Sequence, residues 1–200
     1  MSVRILHKYV AIVLLIFIVS HLTTHLTAIG GIDNHNTALE MVRPFYRPIF
    51  IEVPLIILFA AQIILGLILF ARRWPTKDRS GWSWTQLISG AYLMIFIIMH
   101  LSAALIARAS WGLDTNFYWP AGTLTFGSLI YGFAPYYGLA ILAIFGHIAA
   151  ALHFRGFKKL PYILLIMAVI LGLTIILIFS GALFPIELPD EHLRYFSSYA

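Results

Sequence analysis

The chain has no cysteine among its 200 residues. That absence excludes disulfides, thiolate-ligated iron–sulfur clusters and a haem attached covalently through CxxCH, so any haem here is held by histidine alone. Charge is scarce as well: 10% of residues are Asp, Glu, Lys or Arg, and only eight are acidic. With 61% hydrophobic residues and a mean hydropathy of +0.91, an ordinary soluble core is excluded. The sequence carries no flavin or nicotinamide fingerprint and little extramembrane mass, so substrate chemistry is expected to belong to partner subunits. The formal net charge of +5 says nothing about nucleic acid, because the basic residues collect beside apolar runs.

Those runs are long. Five of them, Tyr9–Ile29, Ile49–Ala71, Trp84–Ala107, Tyr136–Phe154 and Tyr162–Phe184, approach or exceed the roughly 20 residues that cross hydrocarbon. The expected fold is an all-α integral membrane bundle of five transmembrane helices. The first run follows Arg4 and Lys8 as a signal peptide would, but its length, its two histidines and the lack of a small-x-small cleavage site make it a span. With the N-terminus inside, nine of the thirteen basic residues face the cytoplasm: Arg4, Lys8, Arg72, Arg73, Lys77, Arg79, Arg155, Lys158 and Lys159. Arg43, Arg47, Arg108 and Arg194 remain outside with every acidic residue but Asp78. Lysine and arginine bias sets topology, so the expectation is N-in and C-out, in a bacterial inner membrane or an equivalent energy-transducing membrane.

The two outer loops, Gly30–Pro48 and Arg108–Pro135, are the long ones. The second contains WGLDTNFYWPAG and is expected to lie along the interface, where Trp and Tyr favour headgroup depth. Inside, ARRWPTKDRSGWSW reads equally as an anchoring belt or as a docking surface for a partner.

LLIFIVSHLTTHL (Leu14–Leu26) laid over LMIFIIMHLSAAL (Leu93–Leu105) at an offset of 79 matches seven of thirteen positions and sets His21 on His100. Helix four echoes this faintly in AIFGHIAAAL, around His147. The first and third spans run in the same direction, so the two histidines are expected at similar depth, toward the outer face. A histidine in hydrocarbon must find a partner for its ring nitrogens, because an unsatisfied buried polar group costs several kcal/mol. A lone one is as readily an interhelical hydrogen bonder as a functional group. Two facing imidazoles suit b-type haem iron, one nitrogen from each side, with no open position and hence electron transfer rather than catalysis at the metal. Small residues that would make room for a porphyrin, or simply for close helix packing, are Gly138, Ala143, Gly146, Ala149 and Ala150 on helix four, and Gly90, Ala91, Ser102, Ala103 and Ala104 on helix three.

His25 shares a face with His21 and is an alternate ligand, or a hydrogen-bond partner for a propionate, a quinone carbonyl or a backbone carbonyl. A zinc or di-iron site on His21-x3-His25 is weaker for want of further donors. His147, near the middle of helix four, ranks third as a ligand, and His153 reads as interfacial. His7, His35 and His192 are expected to face solvent. Glu52 reads as an interfacial carboxylate paired with Arg47 or, more sharply, as a proton acceptor beside an outer quinol site. Gln62 reads as an interhelical hydrogen bonder.

Five helices, an internal echo and the HL pairs His21-Leu22 and His100-Leu101 resemble the membrane anchor subunit of succinate dehydrogenases and fumarate reductases. The resemblance implies a four-helix core with a pseudo-repeat, one or two b haems or none, a bound quinone, and iron–sulfur and flavoprotein subunits docked at the cytoplasmic face. Di-haem members carry histidine pairs on four helices, whereas helix two here offers Gln62. The resemblance therefore implies one haem, held by His21 and His100 on the outer side. It also implies an inner quinone pocket drawn from Arg72, Trp82, Ser83, Trp84 and Ser89. The competing class is a haem-free membrane scaffold or a small-molecule or proton transporter with structural histidines.

Overall fold

The computed structural model describes residues 2–74 and 80–199, so Lys77, Asp78 and Arg79 of the stretch ARRWPTKDRSGWSW lie outside the described residues. Eight α-helices are described: α1 (Val3–Thr27), α2 (Ile32–Val42), α3 (Ile49–Arg73), α4 (Gly81–Trp111), α5 (Tyr118–Thr125), α6 (Leu129–His153), α7 (Leu160–Phe179) and α8 (Asp190–Ser197). Of these α1, α3, α4, α6 and α7 are long and apolar enough to cross a membrane. At about 1.5 Å per residue, 25 residues reach past a hydrocarbon core of about 30 Å.

Local chemistry sets the ends. Ser2 and Ser80 cap α1 and α4 by accepting the Ile5 and Ser83 amides at 3.4 and 3.3 Å. Gly112, at φ 61°, ends α4 in the left-handed conformation open to glycine. α6 starts at Leu129 rather than Tyr136, with Pro135 inside it. Gly181, at φ 78°, follows the end of α7, five residues before the expected Phe184.

Leu6, Ile16 and Val19 of α1, and Ile166, Ile170 and Leu173 of α7, face outward, as side chains against lipid do. α4, α6 and α7 pack side by side. Gly172 lets α7 approach α6 so closely that a Cβ there would lie 3.8 Å from the Gly138 carbonyl. α1 runs along α3 and keeps its backbone away from α4 and α6. That separation leaves a cavity of about 1650 Å³ through the bundle.

One end of the bundle is capped. The segment after α1 folds as α2, burying His35 and Leu39. The stretch expected at the interface forms α5, which packs on α6, α7 and α8 and buries Trp119, Ala121, Gly122, Thr123 and Leu124. The interfacial expectation is thus corrected: Trp119 turns into the bundle, and Gly122 seats the ring of Phe196 from α8.

Candidate functional site

Helical periodicity places the site's first wall. His21 and His25 follow His7 by fourteen and eighteen residues, close to four and five turns at about 3.6 residues each, so all three share one face of α1. All three line the cavity, as do His35, His100 and His147.

His21 lies across from His100, ring centroids 6.0 Å apart at 69°. Each ring is stacked on the phenylalanine one turn earlier: His21 on Phe17 at 5.7 Å and 14°, His100 on Phe96 at 5.0 Å and 12°. Trp119 of α5, at 5.8 Å, closes a further side of His100. Neither ring nitrogen of His100 has a hydrogen-bond partner among the described residues. A metal bonded to imidazole nitrogen at about 2.0 Å on each side, with about 1 Å more from nitrogen to ring centre, separates two centroids by about 6 Å. The pair is thus spaced as two residues that would hold one metal ion or haem iron between them.

At the other end, where Ser2 begins α1, His7 and His147 repeat the spacing, with centroids 6.4 Å apart at 60°. His147 Nδ1 donates to the Gln86 carbonyl at 3.1 Å, with Ser89 Oγ 3.2 Å away. This leaves Nε2 with the lone pair, the way metal-binding histidines are commonly oriented. The Gln62 amide donates to His7 Nε2 at 3.0 Å, joining α3 to α1 as an interhelical bonder. Its buried Oε1 has no partner among the described residues. Gly90 makes room for His147, since a Cβ there would meet Cε1 at 3.1 Å. Arg4, Lys8, Arg72, Arg73 and Arg155 line this end. Arg73 also donates to the Gln86 side chain.

No protein-family model, curated protein or solved structure matches this chain.

Three histidines expected in solvent are elsewhere. His35 is 1% and His192 0% exposed, because α2 and α8 fold over the end of the bundle, and His7 is half-buried against α3. Burial, with the Arg43 charge adding to it, lowers the His35 pKa below 6.5, against the opposing hydrogen bond to Asn36. His192 Nε2 donates to the Asp114 carbonyl at 3.1 Å. The helical period of His7 with His21 and His25 was the signal for the second pair.

Glu52 pairs with Arg108 rather than Arg47, accepting two bonds at 2.5 and 3.0 Å. The first turn of α3 meets the last turns of the antiparallel α4, while Arg47 donates to Thr115 at 2.9 Å. Both partners line the capped end of the cavity. Arg72 lines the opposite end. Trp82 instead stacks on His153 at 4.7 Å and meets Tyr162 edge-on at 5.4 Å, on the side of α6 and α7. Ser83 is buried in the first turn of α4, its amide on Ser80.

Proposed function

We propose that this protein is a cytochrome b-like membrane anchor subunit of a succinate dehydrogenase- or fumarate reductase-like complex, N-terminus cytoplasmic, which relays electrons between a membrane quinone and a partner redox subunit. The observation that carries the reading is His100. Its ring lines the cavity across from His21 with centroids 6.0 Å apart, a separation at which one iron would be held between the two imidazoles. A b haem held by His21 and His100 would supply a one-electron carrier.

The chain's own residues do the rest. His21 and His100 orient the ligand, Phe17 and Phe96 hold their rings, and Trp119 with α5 shields them from water. A cavity of about 1650 Å³ exceeds the roughly 300–1,000 Å³ typical of one ligand and leaves room for a quinone beside one haem, whereas His7, whose Nε2 accepts from the Gln62 amide, keeps no lone pair for a second iron. Glu52, bound through both carboxylate oxygens to Arg108, ties α3 to α4 at the capped end and is not a ready proton acceptor for a quinol. The basic end suits an iron–sulfur partner and its flavoprotein on the cytoplasmic side, with Arg72 available to a quinone there.

A pyridine haemochrome assay on the purified full chain tests the reading. One haem per chain is expected, and it is lost in His100→Ala. A colourless protein refutes it and leaves the haem-free scaffold or transporter.

A further inference from the structure

His21 is bonded to a line of groups that leads away from the cavity and ends on a peptide N–H. The Phe117 amide donates to Asn36 Oδ1 at 3.1 Å, and His35 Nδ1 lies 3.3 Å from the same oxygen. His35 Nε2 is 3.3 Å from His25 Nδ1, and His25 Nε2 is 3.2 Å from His21 Nε2.

The direction of every bond follows from that first donor. A peptide N–H can only donate, so the Asn36 atom facing it is the amide oxygen, which can only accept. His35 Nδ1 must then carry a proton. A neutral imidazole has one N–H, so His35 Nε2 accepts and His25 Nδ1 donates. His25 Nε2 in turn accepts, and His21 Nε2 is the donor. The lone pair left on His21 is at Nδ1. Every other assignment that keeps the four contacts adds a proton to one of the rings. Among the described residues no carboxylate is bonded to any of the three. The neighbours of His25 and His35 include the edge-on ring of Phe179 at 5.2 and 5.6 Å, where an unpaired charge is costly. The lowered pKa of His35 agrees with neutral rings.

We propose that Asn36 and His35 of α2 are positioning residues that fix, through His25, His21 as the Nε2–H tautomer and present Nδ1 to iron. The role toward iron rests on the haem reading above, while the alternation of tautomers does not. Outer-shell bonds of this kind tune a ligand's basicity and the potential of its metal.

Nitrogen-15 NMR of histidine-labelled full-length protein reads the alternation in chains with or without haem. His35 and His25 are expected as Nδ1–H rings and His21 as Nε2–H. Asn36→Leu is expected to abolish the alternation at all three. A wild-type ring in the other tautomer, or a doubly protonated one, overturns the proposal. In the haem-loaded chain, Asn36→Leu and His35→Phe are expected to move the midpoint potential of the centre lost in His21→Ala. Haem content stays unchanged. Unmoved potentials with full haem content overturn the positioning role. A colourless wild type with the alternation intact refutes the haem reading and supports the tautomer assignment.

Discussion

Replacing Glu52 with Gln leaves Arg108 with a neutral partner at the edge of the apolar bundle. The present pair is two-pronged, at 2.5 and 3.0 Å, the geometry in which guanidinium and carboxylate bind most strongly. Breaking a fully buried pair costs about 3–5 kcal/mol, whereas an exposed one is worth about 0–1 kcal/mol. The Arg108 and Glu52 side chains are 27% and 21% exposed, so water screens the pair in part and the coupling should fall near 1–3 kcal/mol, between the two limits. Arg47 is engaged with Thr115, so it is not a ready replacement. For a chain of this size each kcal/mol moves the unfolding midpoint by about 2–4 °C, and Glu52→Gln should lower it by roughly 2–12 °C. A double-mutant cycle with Arg108→Gln, followed by circular dichroism on heating in detergent, isolates the pair from the loss of either group alone. A coupling below about 0.5 kcal/mol, the usual scatter for independent sites, would refute the claim that this ion pair ties α3 to α4.

Two further outcomes follow from the same geometry. Gly90→Ala should push His147 off its position, because the new Cβ would meet Cε1 at 3.1 Å and Nδ1 at 3.4 Å; the His147 Nδ1–H bond to the Gln86 carbonyl should weaken and its nitrogen-15 resonance shift, and an unshifted resonance would contradict the close packing. Stability should drop on acidification: the folded His35 pKa lies below the ordinary 6.5, so the unfolded chain takes up the proton first and stability is lost as pH falls below that value. The slope should approach about 1.4 kcal/mol per pH unit for that one group, and thermal scans from pH 7 to pH 5 should run flatter for His35→Phe than for wild type.

The spans were legible in the sequence because hydrocarbon length is a coarse constraint that long apolar runs meet or miss plainly. Their ends were less so. Pro135 suggested a boundary, yet its missing N–H frees only the carbonyl of Tyr131, a residue 84% exposed at the helix end, and the helix runs through. His21 and His100 stood out because the match of Leu14–Leu26 with Leu93–Leu105 at an offset of 79 sets one on the other. His35 did not, since a histidine in a polar, proline-flanked segment looks the same whether the segment is a loop or a short helix. What decides is tertiary: α2 has Leu39 four residues after His35, and this face is buried only because the bundle beneath offers Phe117 and Phe179. The Arg108 partner of Glu52 was hidden for a similar reason. Sequence distance favoured Arg47, whereas antiparallel pairing of α3 with α4 brings Arg108 closer.

The stretch Asp114–Phe117 shows why the capped end holds its shape with so little regular structure. Arg43 is paired with the Asp114 carboxylate, His192 with the Asp114 carbonyl, Arg47 with the Thr115 hydroxyl, and Asn36 with the Phe117 amide. Asn116 Oδ1 accepts the Tyr118 amide at 3.0 Å and so starts α5. Groups from α2, from the turn before α3, and from α8 thus converge on four consecutive residues. Unpaired backbone groups at this depth would be costly, and the partners that satisfy them also fix where α2 sits. Because the histidine line to His21 is anchored on one of those same bonds, loosening this stretch acts on the cavity wall, even though none of the bonds made by Asp114 touches an imidazole of α1.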